Sequence, residues 1–362
     1  MSNGSRAASS AAARRPARPA RGRPGTVGIK QVAQQAGVSP GTVSNVLNRP
    51  ERVAATTRAR VEQAIRDLGF VRNGSASTLR AGQGSTIGLM VLDLGNPFFT
   101  EVARGVEDEC SERGYAVILS SSAASPEREE RNMLMLAEQR VRGVLITPVD
   151  DTTARLDRLR DRGVEAVMLD HIATRPHQCA VAVDDVAGGD MAVTHLLDRG
   201  ARSIAYVTGP LSIRQCADRR TGARRALRAP RAAAKDLDEA AFRDVIMPTM
   251  TPRDGQRAAE RLIADGPLPD AIFCANDLLA MGVLRALLQG GVNVPGDVAL
   301  IGYDDIEFVS AAAVPLTSIR QPMYQLGRIA TEMLLDECDN PAEHTHQQVM
   351  FQPELVVRDS TR

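Results

Sequence analysis

The residues that could do chemistry do not assemble into a reaction centre along this chain. Its five histidines, His171, His177, His195, His344 and His346, form no H-E-x-x-H, the helical spacing that sets two imidazoles and a general base around zinc. His344 and His346 read as a solvated loop rather than a metal site. No G-x-G-x-x-G follows the first apolar run and no phosphate-loop Gly-Lys-Ser/Thr string occurs, which argues against a nucleotide enzyme. The adjacent acids Asp184-Asp185 and Asp304-Asp305 make no recognisable acid/base couple. We therefore expect no enzyme, cofactor or metal. Two other groupings point to binding. The chain has seven Phe and no Trp, yet Asn96-Pro97-Phe98-Phe99 puts two of those rings at one strand end and Phe273 lies at another. That placement makes an apolar wall around a small ligand, with core packing by Phe99 as an equal reading. The second grouping is Ser39, Pro40, Gly41, Thr42, Ser44, Asn45 and Asn48, small and polar with no carboxylate among them.

A helix-turn-helix must carry that polar group. Ile29, Val32, Ala33 and Ala36 recur at i, i+3, i+4 and i+7, one stripe of a short helix. Gly37 ends it, because glycine tolerates positive φ, and Ser39-Pro40 opens a second helix as N-cap and first residue. Val43, Val46 and Leu47 pack back, which leaves the polar residues outside. A third helix over 56–68 closes the core through Val61, Ala64, Ile65 and Leu68, with Gly69 after it.

The string AGVSPGTVSNVLN resembles the DNA-reading signature of the lac repressor (LacI/GalR) family of bacterial transcription regulators, and the resemblance runs through nearly all of the chain beyond the tail. It implies that Asn45, with the backbone near Gly41, contacts base edges, since Asn suits bidentate pairing with adenine. Thr42, Ser44, Asn48 and Arg58 then meet phosphates or position the helix. Two departures stand out: Ala54 replaces the usual capping Ser of the third helix, and the hinge carries Gly74 within it and Arg72 where the family usually has proline. Within that hinge, 71–85, Leu79 matches the leucine that wedges into the minor groove, and Arg80 approaches phosphate or the narrowed groove.

Charge divides the chain the same way. Net charge is zero, but residues 1–25 carry six Arg and no acid, and 26–85 carry eight Lys/Arg against Glu51, Glu62 and Asp67, so the remainder carries −11. Only the front is suited to a polyanion. Residues 1–25 are low in large apolar residues and read as a disordered basic tail, either a phosphate-binding arm or a solvated segment; their Arg/Ser/Ala bias also fits a transit peptide. No apolar run approaches 18 residues, so no membrane span is expected. Cys110, Cys179, Cys216, Cys274 and Cys338, odd in number and far apart, read as reduced, buried hydrophobes of a cytosolic protein.

From residue 86 the pattern becomes short apolar runs, at 87–92, 116–119, 143–147, 166–169, 181–183, 204–208, 244–247, 271–274 and 298–302, separated by helical stretches such as 99–113, 186–199, 214–228 and 255–264. Such alternation indicates parallel sheets buried on both faces, and nine strands imply two of them. The resemblance makes these a pair of lobes like those of periplasmic sugar-binding proteins, with crossovers near Asp184, Pro315 and His344. Ligands in such folds sit at the carboxyl ends of strands. By the same resemblance Phe98 and Phe99 line the pocket and Arg219 offers a forked guanidinium, with a surface ion pair as its alternative. Asn276 and Asp304 complete a set suited to adjacent hydroxyls, Asp277 being also placed to cap its own helix. His171 closes the pocket as a lid, and Ile213 and Gln215 fill the remaining pocket positions.

The reading is an all-α helix-turn-helix headpiece, 26–70, a hinge, 71–85, and a two-lobed α/β, periplasmic-binding-protein-like effector and dimerisation domain, 86–362. It describes a cytoplasmic, nucleoid-associated homodimeric repressor whose affinity for a palindromic double-stranded DNA operator is controlled by a small-molecule effector, a sugar or alternatively a nucleoside or purine. The alternative is the solute-binding receptor of a sugar transporter, which residues 26–85 and the lack of a secretory signal argue against.

Overall fold

The structure, a computed structural model, describes residues 27–70, 84–150, 153–229 and 241–361. Leu79, Arg80, nearly all of the expected hinge and the basic tail lie outside the described residues. The chain divides into two units, Met1–Ala81 and Gly82–Arg362.

The first unit is three helices, α1 (Ile29–Ala36), α2 (Pro40–Asn48) and α3 (Ala55–Leu68). Gly37 and Gly69 both adopt the left-handed conformation after their helices, with φ of 62° and 59°. The Ser39 hydroxyl accepts the Thr42 N–H at 3.1 Å, which caps α2. Ala54 offers no such cap to α3; only backbone serves there. Val32, Ala33, Ala36, Val43, Val46, Val61 and Ala64 form the core.

The second unit holds two six-stranded sheets where nine strands in all were expected. The additional strands are β10 (Thr317–Arg320), β11 (Gln348–Phe351) and β12 (Glu354–Val356). Their sequences hide them for different reasons. The two last are short and half-exposed at sheet edges. In β10 the hydroxyls of Thr317 and Ser318 are fully buried but satisfied, by Thr361 at 2.7 Å and by the Asp277 carboxylate at 2.7 Å, so a core strand reads as polar.

Lobe 1 contains β1 (Thr86–Val91), β2 (Ala116–Ser121), β3 (Gly143–Ile146), β4 (Glu165–Leu169) and β5 (Ala180–Val183), in the order β11-β5-β4-β3-β1-β2. Lobe 2 repeats that order with β6 (Ile204–Thr208), β7 (Phe242–Ile246), β8 (Ala271–Cys274) and β9 (Ala299–Asp304), as β12-β10-β9-β8-β6-β7. Every pairing is parallel except β10 with β12. The helices that matter for the site are α4 (Pro97–Glu112), α7 (Asp185–Asp198), α8 (Arg214–Arg228), α9 (Pro252–Ala264) and α10 (Asp277–Gln289); α5 (Pro126–Glu138), α6 (Thr153–Arg160) and α11 (Glu307–Ser310) complete the layers. The long α12 (Met323–Asp339) packs on α4 and the lobe 1 sheet.

The chain passes between lobes at Asp184, at Gln321-Pro322 and at Gln352-Pro353. Asp184 stands where the sequence put it, whereas Pro315 precedes β10 and His344 precedes β11, because those two strands were not read. His344 is not solvated either: its side chain is 3% exposed and packs against Cys179. No described helix is long and apolar enough to cross a membrane.

Candidate effector cleft and DNA-reading helix

The carboxyl ends of both sheets face one cavity of about 270 Å³. Lobe 1 supplies Asn96, Phe98 and Phe99 after β1, Ala123 and Ala124 after β2, and Asp170 after β4. Lobe 2 supplies Ile213, Gln215 and Arg219 around the start of α8, Met250 after β7, Asn276 after β8, Asp304 at the end of β9 and Gln321 after β10. Six described non-glycine residues have positive φ, and four of them, Ala123, Ala124, Asp170 and Asp304, line this cavity. Backbone held in so sparse a region persists where surrounding structure imposes it, and it concentrates at ligand sites.

Arg219 is the centre of the polar side. Its Nε donates to Asp185 Oδ1 at 2.8 Å, and Nη1 donates to the Ala275 carbonyl and lies 3.9 Å from Asp304 Oδ1. The guanidinium rests 3.6 Å above the Tyr303 ring. This position depends on close helix packing: a Cβ on Gly189 would strike the Arg219 carbonyl, and one on Gly222 the Val186 carbonyl, so only glycine lets α7 and α8 approach closely enough to join Asp185 to Arg219. The surface ion pair that the sequence allowed is excluded, since Arg219 is 4% exposed.

In the cleft, hydrogen bonds between described residues span the lobes. Asn96 Nδ2 donates to Asp304 Oδ2 at 3.3 Å, while Asn96 Oδ1 caps α4 by accepting Phe98 N–H at 3.0 Å. Gln215 Nε2 donates to the Asp170 carbonyl at 2.7 Å and to its carboxylate at 2.9 Å. Gln321 Nε2 donates to Asp304 Oδ1 at 2.8 Å. Three oxygens stay without partners: Asp170 Oδ1, Gln215 Oε1 and Gln321 Oε1.

Burial pushes the Asp304 carboxyl up to about 6, with Arg219, Asn96 and Gln321 pulling the other way. Asp170 is raised well above the ordinary carboxylate range, by burial first and by Asp185 second. Arg219 stays firmly cationic: burial opposes its charge, and Asp185, Tyr303, Asp304 and Asp170 outweigh it. One buried cation thus faces three carboxylates, an arrangement that favours proton uptake.

Seven of the nine residues expected at the effector site meet here: Phe98, Phe99, Ile213, Gln215, Arg219, Asn276 and Asp304. Phe98 and Phe99 meet edge to face, 4.9 Å between centroids. Phe273 does not join them. It points into the lobe 2 core, 4.9 Å from Tyr206 and 6.5 Å from Tyr303, because strand alternation turns it away from the strand end. His171 lines a neighbouring cavity with Thr174 and Arg214, its Nδ1 2.8 Å from the Ile172 carbonyl. Asn276, not Asp277, caps α10, accepting Leu279 N–H at 2.9 Å, while Asp277 is fully buried and accepts from Ser318 and Ile306 N–H. The sequence reading missed Asp170 and Gln321. Asp170 directly follows a legible strand and could have been found by the carboxyl-end rule; Gln321 follows the strand that reads as polar.

On the headpiece, Pro40, Gly41, Asn45 and Asn48 are exposed along α2. Ser39 and Thr42 are tied together by the cap, their hydroxyls 3.0 Å apart, and Asn48 Nδ2 donates to the Ser44 carbonyl and hydroxyl at 2.8 and 3.2 Å. Arg58 sits 3.9 Å from Glu62 across one turn.

Residues 28–73 match the model of the bacterial regulatory proteins of the lacI family, and 193–361 match a periplasmic binding protein-like domain. The ribose operon repressor of Escherichia coli strain K12 is 35% identical over 334 residues, 92% of this chain and 99% of that one. The chain belongs to the lac repressor family. The transcriptional repressor PurR of Vibrio campbellii is 34% identical over 337 residues, 92% of this chain and 98% of the relative. Among solved structures, a lac repressor dimer bound to operator and an anti-inducer superposes with a TM-score of 0.77 at 29% identity, covering 92% of this chain and 99% of that one. As a lac repressor family member, the chain is a ligand-responsive, DNA-binding transcriptional repressor and not an enzyme. A transport receptor is not favoured, since the family match covers the DNA-binding unit. A bacterial DNA-binding repressor of this kind acts in the cytoplasm.

Proposed function

We propose that the effector is a pentose-sized sugar bound between the lobes. The observation that carries this is the set of three unpartnered buried oxygens, Asp170 Oδ1, Gln215 Oε1 and Gln321 Oε1, beside the Arg219 guanidinium. The two amide oxygens call for donors, and the Asp170 carboxyl donates as well as accepts once protonated; sugar hydroxyls meet both needs and accept from Arg219. The cavity's volume, about 270 Å³, lies just below the roughly 300–1,000 Å³ usual for ligand pockets, which favours a monosaccharide over a larger glycoside. Phe98 covers the apolar ring face. The ribose operon repressor among the relatives makes D-ribose the first compound to test, and PurR makes a purine base the competing reading. Calorimetric titration of D-ribose, other pentoses, glucose, hypoxanthine and guanine decides between them: a pentose gives saturable heat, and saturation by a purine alone overturns the proposal.

We assign 26–70 to DNA reading, 71–85 to the hinge and 86–362 to effector binding and dimerisation. In this reading a homodimer sets one α2 into each major-groove half-site of a pseudo-palindrome. Asn45 reads base edges with backbone near Gly41; Thr42, Ser44, Asn48 and Arg58 hold phosphates; and Leu79 with Arg80 acts in the minor groove. The protein is then nucleoid-associated when it represses. Effector binding alters the relation of the lobes by its differential affinity for their arrangements, and Asn96–Asp304 and Asp170–Gln215 are the contacts it reorganises.

A further inference from the structure

At the opposite end of the lobe 1 sheet from the cleft, side chains from three segments converge. Cys179 immediately precedes β5, Glu337 lies in the last turn of α12, and His344 and His346 stand in the loop from α12 to β11. The parallel pairing of β5 with β11, Ala180 opposite Gln348, holds the strand starts together. One ligand-type atom from each of these four residues lies within 4.8 Å of all the others. The sequence shows only the His344/His346 pair, read above as a solvated loop, since 165 positions separate Cys179 from His344.

We propose that Cys179, Glu337, His344 and His346 form a structural Zn²⁺ site. Bonds of roughly 2.0–2.3 Å in a tetrahedral zinc centre space the ligand atoms about 3.3–3.6 Å apart. Cys179 Sγ lies 3.2 Å from His344 Nε2 and 3.6 Å from His346 Nδ1, and His346 Nδ1 lies 3.7 Å from Glu337 Oε1. Two independent features point the same way. His344 Nδ1 is 2.7 Å from Asp336 Oδ2, the outer carboxylate that typically fixes the tautomer of a metal-binding imidazole and leaves Nε2 as the ligand. The Glu337 side chain is 6% exposed and sets Oε1 3.7 Å from His346 Nδ1, so a buried carboxylate faces the cluster. Hydrogen bonding can link Cys179 to both imidazoles, through its S–H and through the sulfur as acceptor, but it does not account for the buried Glu337 carboxylate beside them.

A sulfur, two imidazoles and a carboxylate select a borderline ion such as Zn²⁺ over Mg²⁺ or Ca²⁺. Four protein ligands leave no open position, the mark of a structural centre. His346, 30% exposed, provides the path of entry. Binding releases the Cys179 thiol proton to solvent and involves no redox step. The site joins the far ends of three elements, α12, β5 and β11, whose other ends are the three crossovers between lobes. Zinc therefore braces the segments on which lobe movement pivots, without touching the cleft.

Untagged full-length protein, stripped with EDTA, is titrated with Zn²⁺ against a chromogenic chelator, and with Co²⁺ in the spectrophotometer. We expect one equivalent of Zn²⁺ per chain and, for Co²⁺, tetrahedral d–d bands with a near-ultraviolet thiolate charge-transfer band. Excess Zn²⁺ at about one hundred times Kd raises Tm by roughly 5 °C. C179S abolishes the charge-transfer band, and H346A, altered at the exposed ligand, loses most of the affinity while circular dichroism before metal addition shows the fold intact. Absence of the charge-transfer band in the wild type overturns the site, as does a stoichiometry unchanged in both variants.

Discussion

In the assignment proposed above, the reading face of α2 and the effector cleft recognise their targets by opposite physical means. In α2 the buried residues are aliphatic, Val43 and Val46, and the residues assigned to recognition are small and polar, with Pro40, Gly41, Asn45 and Asn48 exposed and Thr42 and Ser44 half-buried. In the cleft the recognition residues are the buried ones: Arg219, Asp304, Asn276 and Gln321 are each 4% exposed or less. A surface site can be altered without harm to the fold, whereas a buried charged site couples binding to stability. The comparison therefore predicts that headpiece substitutions separate binding from folding and that cleft substitutions do not.

The largest effect falls on Arg219→Ala. It leaves Asp185 and Asp304 buried without their cation, and breaking such a pair costs about 3–5 kcal/mol, so urea denaturation of the body should show that loss together with the disappearance of effector binding by calorimetry. A fully stable variant that had only lost affinity would break the comparison. Asp304→Asn sharpens it through pH. An acid raised to about 6 from its ordinary 3.8 contributes stability that is complete below 3.8 and lost as pH rises through about 6. Replacing it should flatten that fall, on the order of 1–3 kcal/mol, in denaturation curves taken from pH 4 to 7, while effector affinity drops at least about tenfold.

On the headpiece, Asn45→Ala should weaken specific operator binding by roughly 1–3 kcal/mol in fluorescence anisotropy, with nonspecific DNA affinity and Tm unchanged. The smallest effect is expected of Ser39→Ala. Loss of its cap to Thr42 costs typically about 1 kcal/mol of helix stability, read as a lowered melting temperature of the headpiece, and weakens specific and nonspecific DNA binding together. At Ser39 folding and binding move together, because its hydroxyl is committed to the backbone.

The same contrast explains what could be read in advance. The helix-turn-helix is local: stripe, turn glycine, cap and outward residues all fall within twenty consecutive positions, and hydrophobic period and cap chemistry place them. The sheets were legible where strands are short, largely apolar runs, as in β1, β6 and β9. They were not legible in β10, whose buried Thr317 and Ser318 are paid for by partners far along the chain, and the crossovers at Gln321-Pro322 and Gln352-Pro353 were displaced accordingly. Phe273 went to the core rather than the cleft because one residue of strand register reverses the direction of a side chain.

Sequence alone thus determined the helix-turn-helix, two parallel α/β sheets and the basic front on an acidic body, since these follow from local periodicity and composition, while the pairing of the sheets into lobes and most of the cleft residues came from the family resemblance. Tertiary structure alone decided that Arg219 is a buried centre rather than a surface ion pair, that Asp170 and Gln321 face it, and that Cys179 meets His344 and His346. Each of those outcomes depends on which strand pairs with which and how closely two helices approach, and such distances are set by packing between segments, not by any one of them.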